Sequence, residues 1–360
     1  KQRIIRISTM SSVQTHEAKA MPVERDETVI VEAFGDRKSS KLIEQVESST
    51  LPVRRNALRV LCDEMANPIS VQGCIAAGMM PVLARYIASD PDDLTRERAS
   101  NALSISARDA NGRFAMLKCE TAEQVSPALH DSNVVVRRNV LQSLVNFSGG
   151  GTSFEAVRNL IAAKYPSLLV EKAPQEVPDV QPLVLRLIYI CIKDESGLQD
   201  SLKSGAVSIC IGLLSSSHAE VRKEAARTLS FLCFAEMAKP MALEGGALPA
   251  LTQLLSDEVT EVRAAAAGAL TAITTTDEAK RQIVRTGSVE PIISLLADPD
   301  RLVKLNVLKA IANFSVNPSA REILKRSDTV LPTLFRLEKG DDPLLSKHAK
   351  IAKSAVLWEP

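Results

Sequence analysis

Residues four apart on a helix share one side of it, and this chain repeats such positions with a cationic bias. Arg55 with Arg59, and Lys223 with Arg227, are full pairs; Arg138 with Gln142, Arg186 and Lys309 stand at the matching places in other copies of the same segment. Asn146 and Asn313 follow Gln142 and Lys309 by four residues. A row of guanidinium, ammonium and amide groups is suited to the carboxylates of an acidic protein segment. These ten residues are therefore the candidate protein-binding set. Ordinary solvated helix charge is the competing reading, because Glu97 and Ala264 interrupt the stripe and Glu224 lies next to it.

Other chemistry is missing from the sequence. No GxxxxGK[ST] string cradles a phosphate, and Gly149–Gly151 are not followed by Lys. The histidines (16, 130, 218 and 348) are isolated, with no HExxH and no paired Cys, so no metal site is expected. Cys62, Cys191 and Cys233 fall where helix packing is expected. Asp63 and Glu64 are neighbours on one helix and diverge by about 100°, a poor arrangement for a paired acid and base. No catalytic residue, cofactor or metal is expected, and the chain reads as a non-enzyme.

What positions the candidate set is an internal repeat. Segments beginning PVRRNALRVL, LTRERASNAL, VVRRNVLQSL, LVLRLIYICI, EVRKEAARTL, EVRAAAAGAL, LVKLNVLKAI and LLSKHAKIAK align at Arg54, Arg96, Arg137, Leu185, Arg222, Arg263, Lys304 and Ser346. The steps are 42, 41, 48, 37, 41, 41 and 42 residues. A period near 42 is that of helical solenoids. Three, six and seven residues beyond each anchor lies one helical face, with small residues at the first two offsets and a bulkier one at the third. In the last copy that third offset is Lys353, as expected where a stack meets water. Gly205, Gly246 and Gly287 recur 41 apart, each before a second apolar segment, and suit a left-handed break between two helices. Acidic and Ser/Asn-containing turns, such as Ser256-Asp257 and Asp298-Pro299-Asp300, precede the anchor segments as helix starts. Each unit therefore reads as three helices. The fold expected is all-α, a right-handed solenoid of seven to eight such repeats over residues 29–360. Residues 1–28 lack the period and are expected to form an extended or disordered arm. The 48-residue step contains EKAPQEVPDVQP (171–182), read as a surface insertion or a break in the array.

Composition agrees. The hydrophobic fraction is 45% and the aromatic fraction only 3%, so aliphatic residues must supply a helix-on-helix core. Forty-four basic and 43 acidic residues leave a net charge of +1, which argues against coating nucleic acid or an anionic membrane. No apolar run has the length of a membrane span, and no signal-peptide pattern follows the basic KQRIIRISTM start. The first residue is Lys1, so a trimmed or missing start, or initiation at Met10 or Met21, is expected. Six scattered cysteines without a CxxC pair suit reduced thiols.

The anchor pattern V-R-x-x-A-x-x-A-L, followed by G-x-x-P-x-L-x-x-L-L, resembles the armadillo repeat over about residues 36–356. More narrowly, FGDRKSSKLIEQVES (34–48), ALRVLCDEMANP (57–68), NGRFAMLK (111–118) and KIAKSAVLWEP (350–360) resemble the radial spoke head 14 family of armadillo proteins. The strings Leu61–Pro68 and Gly112–Ala115 are its distinctive pieces, since generic armadillo units require neither. The resemblance implies a non-catalytic scaffold subunit of the ciliary and flagellar radial spoke. It further implies other radial spoke proteins as partners, indirect linkage to the doublet microtubule, and residence in the axoneme after synthesis in the cytoplasm. The two rivals are a cytosolic armadillo adaptor that binds peptide segments transiently and a HEAT-like DNA glycosylase. Import-type adaptors carry Trp five and Asn nine residues beyond the anchor. Here the first offset holds no Trp and the second keeps only Asn146 and Asn313. The glycosylase lacks a basic, aromatic-lined surface, with the single Trp358 near the end of the sequence.

Overall fold

The computed structural model describes residue 35 and residues 37–359, and the expected arm 1–28 lies outside them. Among the described residues all regular structure is helical. The long third helix of each repeat carries the anchor: Leu51–Glu64, Asp93–Ser106, Val134–Phe147, Gln181–Cys191, Ala219–Leu232, Thr260–Ile273, Arg301–Phe314 and Pro343–Leu357. From repeat two onward a first helix precedes it: Pro68–Ala76, Ala110–Lys118, Phe154–Ala162, Glu195–Lys203, Ala238–Glu244, Asp277–Arg285 and Pro318–Arg326. Between the two lies a second helix, such as Met79–Ser89, Ala206–Leu213 or Ala247–Leu254. Third helix packs on third helix along the whole array, so each repeat buries its apolar face against its neighbours.

Local sequence explains the breaks. Asn67, Asp92, Asp109, Asn133, Asp194, Asp300 and Asn317 each accept a backbone N–H of the first turn that follows them, which satisfies donors no helical carbonyl can reach. The first-to-second helix break needs a positive φ. Gly78, Gly205 and Gly246 supply it at 90°, 88° and 79°. In repeats three and four the same turn is made by Glu120 (φ 51°) and Lys164 (φ 63°), where a side chain is strained.

The face predicted from the period is the core. Ala57, Ala99, Val140, Ile188, Ala225, Ala266, Val307 and Ala349 are fully buried three residues past the anchors, and six residues past them only Val60 is partly exposed. Seven residues past them, Leu61, Leu103, Leu144, Leu229, Leu270 and Ile311 fill the layers between repeats. Lys353 closes the series on Glu338 and lies 4.6 Å from the Phe335 ring.

The anchor arginines do something the period alone does not show. Each reaches forward to a carboxylate in the turn before the next third helix. Arg54 contacts Asp90 at 3.4 Å, Arg96 Asp131 at 2.6 Å, Arg222 Asp257 at 2.7 Å and Arg263 Asp298 at 2.7 Å. A second guanidinium nitrogen of Arg96, Arg137, Arg222 and Arg263 donates to the carbonyl six residues back, at 2.8–2.9 Å. The carboxylate in turn accepts a backbone N–H two residues on, as Asp257 does from Val259. These clamps tie neighbouring repeats together along one edge. Only the junction after repeat four lacks the anchor arginine within the run from Arg54 to Arg263: Leu185 takes its place, and Ser216 stands where the next turn elsewhere has Asp.

Residues 171–182 are exposed at 171, 174, 175 and 177–179, with buried positions between them. The second helix of repeat four, Tyr165–Lys172, runs on into a 3-10 turn, Ala173–Gln175, and the third helix starts at Gln181. Ala173, Glu176, Val180 and Gln181 are buried. Glu176 plays the clamp carboxylate, taking Arg137 at 2.7 and 2.8 Å and the Val177 N–H at 2.8 Å. Burial alone would raise its carboxyl. The Arg137 bond, the Val177 N–H and the nearby Arg137 and Lys172 charges outweigh that and hold it below the ordinary value. The added residues are thus folded into the repeat edge, and the third-helix stack continues on both sides.

Candidate functional site

A groove of about 800 Å³ runs along the third helices of repeats four to seven. Its aromatic end is built by Tyr189, Phe231 and Phe234. The Tyr189 and Phe231 rings meet edge-on at 5.3 Å, and Phe231 and Phe234 at 5.5 Å. The Arg227 guanidinium lies 4.0 Å from the centre of the Tyr189 ring and Lys193 4.9 Å from it. Below them the floor is made of small residues, Ala264, Ala265, Gly268 and Ala272. Gly268 occupies the offset at which import-type adaptors carry Trp. A Cβ there would come within 3.2 Å of Asn306 Nδ2, so a larger residue would push that amide aside by a few tenths of an ångström. The far end carries Asn306, Lys309 and Asn313.

The electrostatics centre on Glu224, which is 1% exposed. It accepts Arg186 at 3.0 Å from the preceding repeat and Arg227 at 3.4 Å from its own helix. One buried carboxylate thus holds two cations, leaving local positive charge beside the aromatic rings. Lys223 pairs with Glu220 at 2.6 Å. Lys309 makes no ion pair among the described residues.

The groove gathers five of the ten sequence candidates: Arg186, Lys223, Arg227, Lys309 and Asn313. The other five lie outside it. Arg55 forks onto Asp92, the cap of the next third helix, and its hydrogen bond holds that carboxyl well below the usual range. Arg59 pairs with Asp63 at 3.2 Å on its own helix. Arg138 is exposed and has no ion partner among the described residues. Gln142 donates to Asn146 Oδ1 at 2.9 Å, and Asn146 donates to the Ser104 carbonyl at 3.3 Å. Asn313 does the same to the Thr271 carbonyl at 3.0 Å. Both surviving amides therefore join successive third helices, the same bond made by Asn306 to the Ala264 carbonyl at 2.9 Å.

Sequence reasoning missed the aromatic cluster and the pivotal role of Glu224. A signal was present: Tyr189 and Phe231 sit on adjacent anchor helices, four and nine residues past Leu185 and Arg222, in a chain with few aromatic residues. Among the described residues, no group of three or more His, Cys, Asp or Glu side chains is placed to hold a metal ion. No single described helix is long and apolar enough to cross a membrane.

Comparison with known proteins agrees with this architecture. Residues 207–286 match the family described as HEAT repeats. Radial spoke protein 14 of Chlamydomonas reinhardtii is 26% identical over 246 residues, covering 66% of this chain and 64% of that protein. The match thus spans less than two thirds of the relative. Among solved structures, an engineered protein superposes with a TM-score of 0.80 at 24% identity, over 90% of this chain and 79% of its own. A designed armadillo repeat protein gives 0.59 at 24% identity, over 65% and 99%. Another, solved in complex with peptide (KR)4, gives 0.58 at 24% identity, over the same shares. The described residues form an all-helical solenoid of armadillo/HEAT type, and radial spoke protein 14 is among the proteins the chain is similar to in sequence.

Proposed function

We propose that this chain is a non-catalytic scaffold subunit of the ciliary radial spoke, whose solenoid binds and spaces other spoke proteins in the motile axoneme. The observation that carries the reading is the sequence similarity to radial spoke protein 14, 26% identity over 246 residues. The groove supports it chemically. Aromatic rings beside Arg186 and Arg227, with Lys309 beyond a smooth floor, suit an extended partner segment that carries acidic and apolar side chains. Contact with the doublet microtubule is then indirect, through the rest of the spoke.

A tagged copy expressed in ciliated cells tests this. Retention in detergent-extracted axonemes, with cross-links to spoke proteins, is the expected result. A freely soluble pool with no axonemal fraction would instead favour a transient cytosolic adaptor. For the groove, Lys309→Glu with Phe234→Ala is the informative variant, because neither residue is part of an ion pair. The folded variant is expected to lose axonemal retention at least about tenfold; full retention would remove the groove from the reading.

A further inference from the structure

The two most distinctive sequence strings lead into side chains the fold leaves unused. In Gly112–Ala115, a Cβ on Gly112 would meet the Ser106 carbonyl oxygen at 1.9 Å, so the first helix crosses the end of the preceding third helix in backbone contact. Arg113 donates to the carbonyls of Ala107 and Arg108 at 3.4 and 2.7 Å, and Ala115 is buried. Phe114 alone has no such role and is 67% exposed. After Leu61–Pro68, where Met65 is buried and Asn67 caps the helix, comes Ile69, 80% exposed. Phe154, opening the first helix of repeat four, is also 80% exposed.

These three side chains share one direction. Counted from the start of each first helix, Phe154 is first, Ile69 second and Phe114 fifth. At about 100° per residue they fall within a sector of about 100°. Cys74, Met116 and Leu160 are seventh, on the opposite side, and buried. The three first helices contact one another in order. Other repeats of the same chain serve as controls. The same places hold Glu195, Ser196 and Gln199 in repeat five and Asp277, Glu278 and Arg281 in repeat seven. Repeat six departs from both: its first helix opens on buried Ala238 and Lys239, and Met237 just ahead of it is 53% exposed. Charge differs too. In repeat seven Asp277 pairs with Lys280 and Glu278 with Arg281, whereas Arg108, Lys118 and Arg158 flank the apolar trio with no ion partner among the described residues and outnumber the one exposed acid on the three helices, Glu155.

We propose that the outward faces of the first helices of repeats two to four dock one amphipathic helix of a partner protein. Its apolar side covers Ile69, Phe114 and Phe154, and its acidic flank meets Arg108, Lys118 and Arg158. Packed helices lie about 8–10 Å apart and a helix rises about 1.5 Å per residue. A helix laid across the three therefore meets one apolar residue per repeat when its own apolar residues recur about every seven positions. The surface is separate from the third-helix groove and does not depend on the axonemal reading.

The probe is a synthetic helix of about 21 residues with Leu every seventh position and Glu on both flanks, titrated by fluorescence anisotropy against the full chain. A second peptide replaces each Glu with Lys. The acidic peptide is expected to bind at least about tenfold tighter than the basic one, a gap of about 1.4 kcal/mol. Ile69→Ser/Phe114→Ser/Phe154→Ser should weaken it at least about tenfold, with thermal midpoint and helical circular dichroism unchanged. Arg108→Glu/Lys118→Glu/Arg158→Glu should reverse the preference between peptides, which keeps the test informative if the first variant folds poorly. Absent or unsaturable binding, equal binding of both peptides, or indifference to both variant sets overturns the proposal. So does a wild-type dimer in sedimentation that the serine variant turns into a monomer, since the face would then be a contact between copies of this chain.

Discussion

Replacing Arg263 by Leu and Asp298 by Ser, singly and together, installs between repeats six and seven the pair found at Leu185 and Ser216. The native contact is Nε to Oδ2 at 2.7 Å, with the side chains 15% and 4% exposed. At an effective dielectric of about 20, charges at that distance attract by about 6 kcal/mol, and desolvation of both ions offsets most of it. Arg263→Leu leaves a buried carboxylate whose remaining acceptor contact is the Asp300 N–H, a loss of about 3 kcal/mol. Asp298→Ser leaves a guanidinium that still donates to the Asp257 and Glu258 carbonyls at 2.9 and 3.2 Å, but removes its ionic partner and leaves the turn only a hydroxyl acceptor, as Ser216 is for the His218 N–H at 3.3 Å, a loss of about 2–3 kcal/mol. The double variant buries no unpaired ion. We expect it to cost about 3 kcal/mol, against roughly 5–6 if the singles added, so the coupling is about 2–3 kcal/mol. A solenoid opens locally, so the assay is amide hydrogen exchange on the third helices flanking the junction, alongside urea unfolding. Additivity within about 0.5 kcal/mol would refute the clamp as a coupled unit.

Acid should release the same clamps. Burial works to raise the Asp257 and Asp298 carboxyls, but the arginine bonds and a backbone N–H outweigh it and hold both below their ordinary value. A carboxyl depressed in the folded state stabilises above the unfolded value of about 4 and loses that contribution as pH falls through the folded value. The urea midpoint is therefore expected to drop between about pH 4 and pH 2, with a shallower drop for Asp257→Asn/Asp298→Asn; equal slopes refute it. Burial pushes the Cys191 and Cys233 thiols up to about 12 and Cys62 to about 11. In native labelling at pH 8, read by mass spectrometry, half-buried Cys119 should react before Cys62, and Cys191, Cys210 and Cys233 only after unfolding. Gly112→Ala should destabilise by more than about 3 kcal/mol because backbone must move, whereas Gly212→Ala, with nothing within 4 Å of the added Cβ inside a helix, should stabilise by about 0.5–1 kcal/mol. Paired urea melts check both signs.

The array was legible because its signal is short-ranged. Offsets of three, six and seven residues from each anchor fixed the buried face from Ala57 to Ala349, and only Val60 strays. The extra residues at 171–182 are part exposed turn and part buried edge, a division that proline and charge do not reveal. Whether Glu176 meets water or Arg137 is decided by a residue 39 positions away. Four of the ten stripe candidates, Arg55, Arg59, Gln142 and Asn146, lie outside the groove on partners within the fold. Offsets place Arg55, Arg59 and Asn146 on one side of a helix, yet each has a partner within the fold: Asp92, Asp63 and the Ser104 carbonyl. Asp63 stands four residues from Arg59 on one helix, but Asp92 and Ser104 lie 37 and 42 positions from the residues they engage, and nothing within a single repeat announces those two.

The groove and the missing clamp belong to one arrangement. After repeat four the inter-repeat ion pair leaves the edge, where Leu185 cannot make it, and reappears one residue along as Arg186 on Glu224 at 3.0 Å. That shift brings two arginines onto one buried carboxylate and sets Arg227 against Tyr189. The cations closest to the aromatic end of the groove therefore also hold repeats four and five together. Reversing Arg186 would leave Glu224 buried against a like charge, so its loss of binding could not be separated from loss of structure. Lys309 is free of that double role. A Lys309→Glu chain that keeps its unfolding midpoint yet releases its partner would assign recognition to the groove, whereas a Glu224→Gln chain should loosen the junction itself, seen as faster exchange in Gln181–Cys191 and Ala219–Leu232. If Glu224→Gln leaves exchange there unchanged, the buried carboxylate is not what replaces the clamp.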